Sequence, residues 1–129
     1  MADRHPPRPT DAELAILRVL WERGASTVRD VHDELNRHTP TGYTTVLKLL
    51  QIMTDKGLVV RDESQRAHIY EARYSEQKTQ RQLLTDLADR AFGGSSAKLV
   101  MQALSGRKAT PEELDEIRDL LKRLEGDSK

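Results

Sequence analysis

Cysteine is absent from this 129-residue chain. Its absence excludes disulfides, thiolate metal sites and thiol redox sensing, and it fits a cytoplasmic address. Aromatic residues are scarce at 4% and charged residues make up a third of the chain, which suits a helical soluble protein. No apolar run approaches the roughly 18–20 residues needed to span a bilayer. The opening MADRHPPRP lacks the apolar stretch of a signal peptide. Excess charge of either sign is missing too: Lys/Arg and Asp/Glu number 21 each, and they balance again within residues 1–74 and within 75–129. A basic body that would bind nucleic acid by bulk attraction is thereby excluded.

Catalytic signatures are equally absent. No nucleophile has a plausible base nearby in a known pattern, and no glycine loop of phosphate-cradling type occurs. The four histidines, His5, His32, His38 and His68, share no ligand spacing, so neither metal nor cofactor is expected. The chain reads as a non-enzyme.

What is present is a succession of short, well-punctuated helices. Residues 1–9 are proline-rich and charged, and read as a disordered arm. Thr10 and Glu13 form a T-x-x-E capping box for a first helix with Leu14, Leu17, Leu20 and Trp21 on its apolar face, ended by Gly24. Ser26 or Thr27 caps a second helix with Val28, Val31 and Leu35 inward. Pro40 and Gly42 make a turn, and a third helix runs from near Thr41–Tyr43 to Gly57, a C-terminal stop. Two strands follow, Leu58–Asp62 and Ala67–Arg73, joined by the polar tip Glu63–Arg66. In the second strand Tyr70 and Ala72 are expected to face the helices, because the alternative face would bury Glu71.

The third helix carries the most information. Val46, Leu49, Leu50 and Met53 recur at i, i+3, i+4, i+7 and form a buried stripe. Its first turn instead displays Tyr43, Thr44 and Thr45, with Lys48 one turn on and Thr41 just before. Threonine is a mediocre helix former, so a merely solvated turn would more often use Glu, Lys or Ala. Threonine hydroxyls and methyls suit phosphates, base edges and the thymine methyl, and Tyr43 is read as reaching a backbone phosphate. Leu47 is read on the same side, against a thymine methyl. From Leu35 to Thr54 there is no acidic residue. In the hairpin Arg66 is the best-placed wing contact, with His68 beside it. Arg29 and His32 lie off the apolar face of the second helix, where each is either a phosphate contact or an ordinary solvated side chain. The expected fold is mainly α with a small β-hairpin: a winged helix-turn-helix over residues 10–74 that offers its third helix to double-stranded DNA.

Residues 75–129 have a different chemistry. Ser75 caps a long helix to about Phe92 with Leu83, Leu84, Leu87, Ala91 and Phe92 on one stripe. Gly93-Gly94 breaks it, and Ser95 or Ser96 caps the short apolar helix KLVMQAL, which includes Leu99. Thr110-Pro111-Glu112-Glu113 opens a last helix with Leu114, Ile117, Leu120, Leu121 and Leu124. Narrow stripes on three helices make a poor core alone. Each exposed leucine forgoes about 1.5–3 kcal/mol of burial, so a second copy is the expected partner and the region is read as a dimerisation region.

These residues together resemble the penicillinase-repressor family, the BlaI/MecI type with its CopY branch. The resemblance is carried by PTDAELAILRVLW, YTTVLKLLQIMTDKGLV, IYEARYS, the AFGG break before KLVMQAL, and PEELDEIRDLL, in that order. It implies a cytoplasmic homodimer of winged helices with interlocking C-terminal helices, bound to a palindromic operator. It also implies repression of genes such as β-lactamase in an antibiotic response. Relief comes when a membrane sensor-protease cuts the repressor in its dimerisation region. In that family's best-known members the cut falls at an Asn-Phe pair. Here the corresponding stretch is Leu99-Val100-Met101-Gln102-Ala103, so Met101, Gln102 and Ala103 stand at the switch without that pair. The cysteine-rich tail of the copper-sensing branch is missing. Two other readings stay open: a winged-helix module that docks a protein partner, favoured by the zero net charge, and a ligand- or metal-responsive regulator.

Overall fold

The structure, a computed structural model, describes residues 7–127, so most of the expected N-terminal arm lies outside the described residues. The element order is α1 (Asp11–Arg23), α2 (Val28–Asn36), α3 (Tyr43–Lys56), β1 (Val59–Asp62), β2 (Ile69–Ala72), α4 (Glu76–Ala91), α5 (Ser96–Gly106) and α6 (Pro111–Asp127). Three helices followed by a two-stranded antiparallel hairpin are the winged-helix order, as the sequence predicts. The chain divides into two compact units between Leu84 and Thr85, inside α4. Among the described residues no helix is long and apolar enough to cross a membrane.

Local chemistry explains the boundaries. The Thr10–Glu13 box opens α1 as read: the Glu13 N–H donates to Thr10 Oγ1 at 3.2 Å and the Thr10 N–H to Glu13 Oε1 at 2.9 Å. Of the two candidates for α2, Thr27 is the cap, and Asp30 completes a second box at 3.1 Å in both directions. The Thr27 N–H holds the Asp30 carboxyl below its ordinary range. Such caps contribute about 1 kcal/mol each. Gly57 ends α3 with φ +83°, a left-handed cap that glycine adopts without strain. Ser75 accepts from the Lys78 N–H in front of α4. Ser95 caps α5, and a Thr110–Glu113 box opens α6.

The first unit has a single aliphatic core. Ile16, Leu17 and Leu20 from α1, Val31 from α2 and Val46, Leu50 and Met53 from α3 close around Tyr70 of β2, all buried. Two features of α1 differ from the expected face. Ile16 and Val19 are buried, whereas Leu14 and Trp21 are only partly so. Helix 1 is covered on two sides, by α2–α3 and by β2, and its buried arc is therefore wider than one stripe.

The hairpin ladder is shorter than the runs that predict it, pairing Val59 with Ala72 through Asp62 with Ile69. One further bond, Arg73 N–H to Leu58 O at 3.0 Å, extends it. Ser26, freed from capping, bridges Tyr70 from the other side by two backbone bonds of 2.9 and 2.7 Å. That pairing anchors the wing to the α1–α2 turn. Trp21 Nε1 donates to the Tyr74 carbonyl at 3.0 Å, which ties the exit of the hairpin to α1.

Candidate nucleic-acid interface

The position of α3 follows from its buried face. Val46, Leu50 and Met53 are fully buried, so helical geometry turns Thr44 and Lys48 to the opposite, solvent face, one turn apart. Both are exposed. No side chain caps α3, whose N-cap is Gly42, so the positive end of its dipole is left open beside the same turn.

Two clefts flank this stripe. On the wing side, Tyr43 and Leu47 of α3 meet Thr27, Val28 and Arg29 at the start of α2, and Arg66 and His68 of the hairpin. Four residues picked from distant points of the sequence, Tyr43, Leu47, Arg66 and His68, are thus brought to one concave surface. Arg66 is exposed and His68 half-buried. Leu47 differs from the expectation of a free apolar contact: it is half-buried and packs against the core. On the other side, Thr41 and Thr45 line a cleft with α1 and the end of α2. Thr41 is occupied in the turn, its N–H donating to Asn36 Oδ1 at 3.0 Å and its hydroxyl to the Thr39 carbonyl at 2.8 Å.

The charges sort themselves locally. In the wing, Arg61 bonds Glu63 at 2.7 and 2.9 Å. The Tyr70 hydroxyl opposite it and the Glu63 carboxylate both raise its pKa. Asp62 accepts from the Ser64 N–H at 2.9 Å, which holds its carboxyl low and shapes the tip. Arg29 places its guanidinium carbon 5.5 Å from the centre of the Tyr43 ring. His32 meets the same ring edge-on, at 5.8 Å. The sequence leaves Arg29 and His32 open between phosphate contact and solvation, and the structure groups them around Tyr43. Their i, i+3 spacing on α2 is the signal that links them.

One partly buried ion pair has no local signature in the sequence. Glu13, 2% exposed, accepts from Lys56 Nζ at 2.8 and 3.0 Å, joining the start of α1 to the end of α3. Burial pushes the Glu13 carboxyl up, but the Lys56 ammonium and the Thr10 bonds outweigh that and hold it below its ordinary value.

The residues expected to pair two copies stay uncovered in a single chain. Leu84, Leu87, Leu120, Leu121 and Leu124 are about half exposed, and Leu114 is slightly less so. Leu83, Phe92, Leu99 and Ile117 are intermediate. Met101, Gln102 and Ala103 lie exposed on α5. Neither α5 nor α6 buries any residue.

Comparison with known proteins places this arrangement. A penicillinase repressor family profile matches residues 9–123. Transcriptional regulator BlaI of Mycobacterium tuberculosis (strain ATCC 25618 / H37Rv) is 31% identical over 116 residues, 89% of this chain and 83% of that one. The DNA-binding domain of the repressor BlaI superposes with a TM-score of 0.52 at 22% identity, covering 59% of this chain and 93% of that one. The Bacillus licheniformis BlaI monomer, solved in complex with the blaP half-operator, gives 0.50 at 23%, covering 57% and 89%. These two likenesses establish the winged-helix fold of the first unit. With the profile spanning nearly the whole chain, this protein belongs to the penicillinase repressor family, a family of transcriptional regulators and not of enzymes.

Proposed function

We propose that this protein is a DNA-binding transcriptional repressor that acts as a homodimer on a palindromic operator. The observation that carries the reading is the stripe of Thr44 and Lys48 opposite the buried face of α3, flanked by the cleft that collects Tyr43, Arg66 and His68. In this reading α3 enters the major groove, where Thr44, Thr45 and Lys48 meet bases or phosphates, and Arg66 with His68 grips the backbone from the wing. The half-operator complex of the Bacillus licheniformis relative supports the same use of the fold. Thr41 acts through the turn that it ties, and Leu47 presents its outer edge.

Dimerisation is supported by the uncovered leucines of α4 and α6. Two domains on half-sites about 34–36 Å apart gain occupancy from being linked. Cleavage in the exposed segment Met101-Gln102-Ala103 by a membrane sensor-protease would remove that gain. The segment has no Asn-Phe pair, so such a protease would read another sequence.

A salt titration tests the core claim. Binding to the region upstream of the protein's own gene should give log K falling against log salt with a slope of several units. Lys48→Ala should flatten that slope by about one. A folded protein that binds no such fragment at low salt would overturn the proposal and favour a protein-docking module.

A further inference from the structure

We propose that Tyr43 serves as a platform for Arg29, and that Arg29, held on its ring, is a contact to a backbone phosphate from α2. The inference rests on the DNA-binding reading and deepens it by adding a residue and a division of labour. Three observations support it. First, the Arg29 guanidinium stands 5.5 Å from the Tyr43 ring centre, within the range of a cation–π contact. The His32 ring abuts the same ring at 64°, so two residues one turn apart on the same face of α2 meet Tyr43. Second, the nearby carboxylates are engaged elsewhere. Asp30 caps Thr27 and faces Arg23 at 3.8 Å, and Asp33 bonds His32 Nδ1 at 3.0 Å. No carboxylate lines the cleft that Arg29 shares with Arg66 and His68. Third, Val28, Leu47 and Ala67 give the cleft an apolar part beside its cations, a surface that suits a deoxyribose between phosphates.

A guanidinium resting over a ring at this distance keeps N–H donors free and loses little further freedom when it meets a phosphate. The ring, and not the phenolic hydroxyl, is therefore the part of Tyr43 that matters. This separates the proposal from a direct hydroxyl contact to the backbone.

The test uses the full-length chain with its upstream duplex and an unrelated duplex, by fluorescence anisotropy across a salt series. Arg29→Ala should weaken both complexes by the same factor, roughly tenfold, and flatten the salt slope by about one. Tyr43→Phe, which keeps the ring, should bind more tightly than Tyr43→Leu. Tyr43→Leu should lose roughly two- to fivefold in the parent background, and nothing more when Arg29 is already alanine. Circular dichroism of each variant reports folding. Should Tyr43→Leu fail to fold, the slope of Arg29→Ala still decides. Tyr43→Phe binding as weakly as Tyr43→Leu, an unchanged slope for Arg29→Ala, or additive losses in the double variant would each overturn the proposal. If the parent binds neither duplex at low salt, the DNA-binding reading falls with it. A parent that binds while Arg29→Ala is silent rejects this inference alone.

Discussion

Glu13 does two jobs with one carboxylate. It closes the capping box of α1 and receives the Lys56 ammonium from the last turn of α3. Its ordinary pKa is near 4.5, and in the folded chain the value lies lower. A depressed carboxyl contributes stability that is complete above the unfolded value and is lost as pH falls through the folded one. Lys56→Met should therefore cost about 1–2 kcal/mol at pH 7, allowing for the partial exposure of the ammonium. In urea denaturation the gap from the parent should narrow below pH 4.5, as Glu13 takes up its proton in both proteins. A gap that stays constant to pH 3 would mean that Lys56 stabilises by packing its stem and not by charge. The residue scale also shows what spacing conceals. Thr10 and Glu13 were readable as a cap because their partners lie three residues apart. The Glu13–Lys56 pair spans two helices, and no local pattern announces it.

At the scale of elements, the punctuation of the chain was legible almost throughout. Thr10, Thr27, Ser75, Ser95 and Thr110 each satisfy N-terminal amides of the helix that follows. Gly57 is the sharpest stop. At φ +83° an added Cβ would sit 3.2 Å from the mobile tip of Arg73, so the backbone and not the neighbour sets the penalty. Gly57→Ala should lower unfolding free energy by about 1–2 kcal/mol in chemical denaturation. Gly106→Ala, on α5 with open space around it, should leave stability equal or slightly raised. Equal effects of the two substitutions would show that the left-handed cap carries no strain for alanine. Helix faces were less legible than helix ends. Periodicity assigned one stripe to α1, but two neighbours cover it, and Ile16 and Val19 go inside. Leu47 reads as exposed on a wheel, yet the start of α2 comes close enough to shelter it.

For the whole molecule the question is what covers the second unit. Among its described residues Ala88 is the one buried apolar side chain, and a stretch so poor in core does not hold together by burial within one chain. Under the proposed homodimer, Leu84→Asp or Leu87→Asp should shift sedimentation from dimer to monomer, because a carboxylate at a desolvated leucine contact is costly; a parent that sediments as a monomer would overturn the homodimer. Unchanged dimers would place the contact elsewhere. The sequence by itself determined the order of elements, their caps and the polar first turn of α3, because those depend on neighbours within a few residues. It also carried the family, through motifs spread over nearly the full chain. Tertiary structure alone decided which side chains meet across elements: Ser26 with Tyr70, Glu13 with Lys56, and Arg29 with His32 around Tyr43. Those contacts depend on how helices cross, and the crossing is set by the packing of the whole core, which no short window of sequence contains.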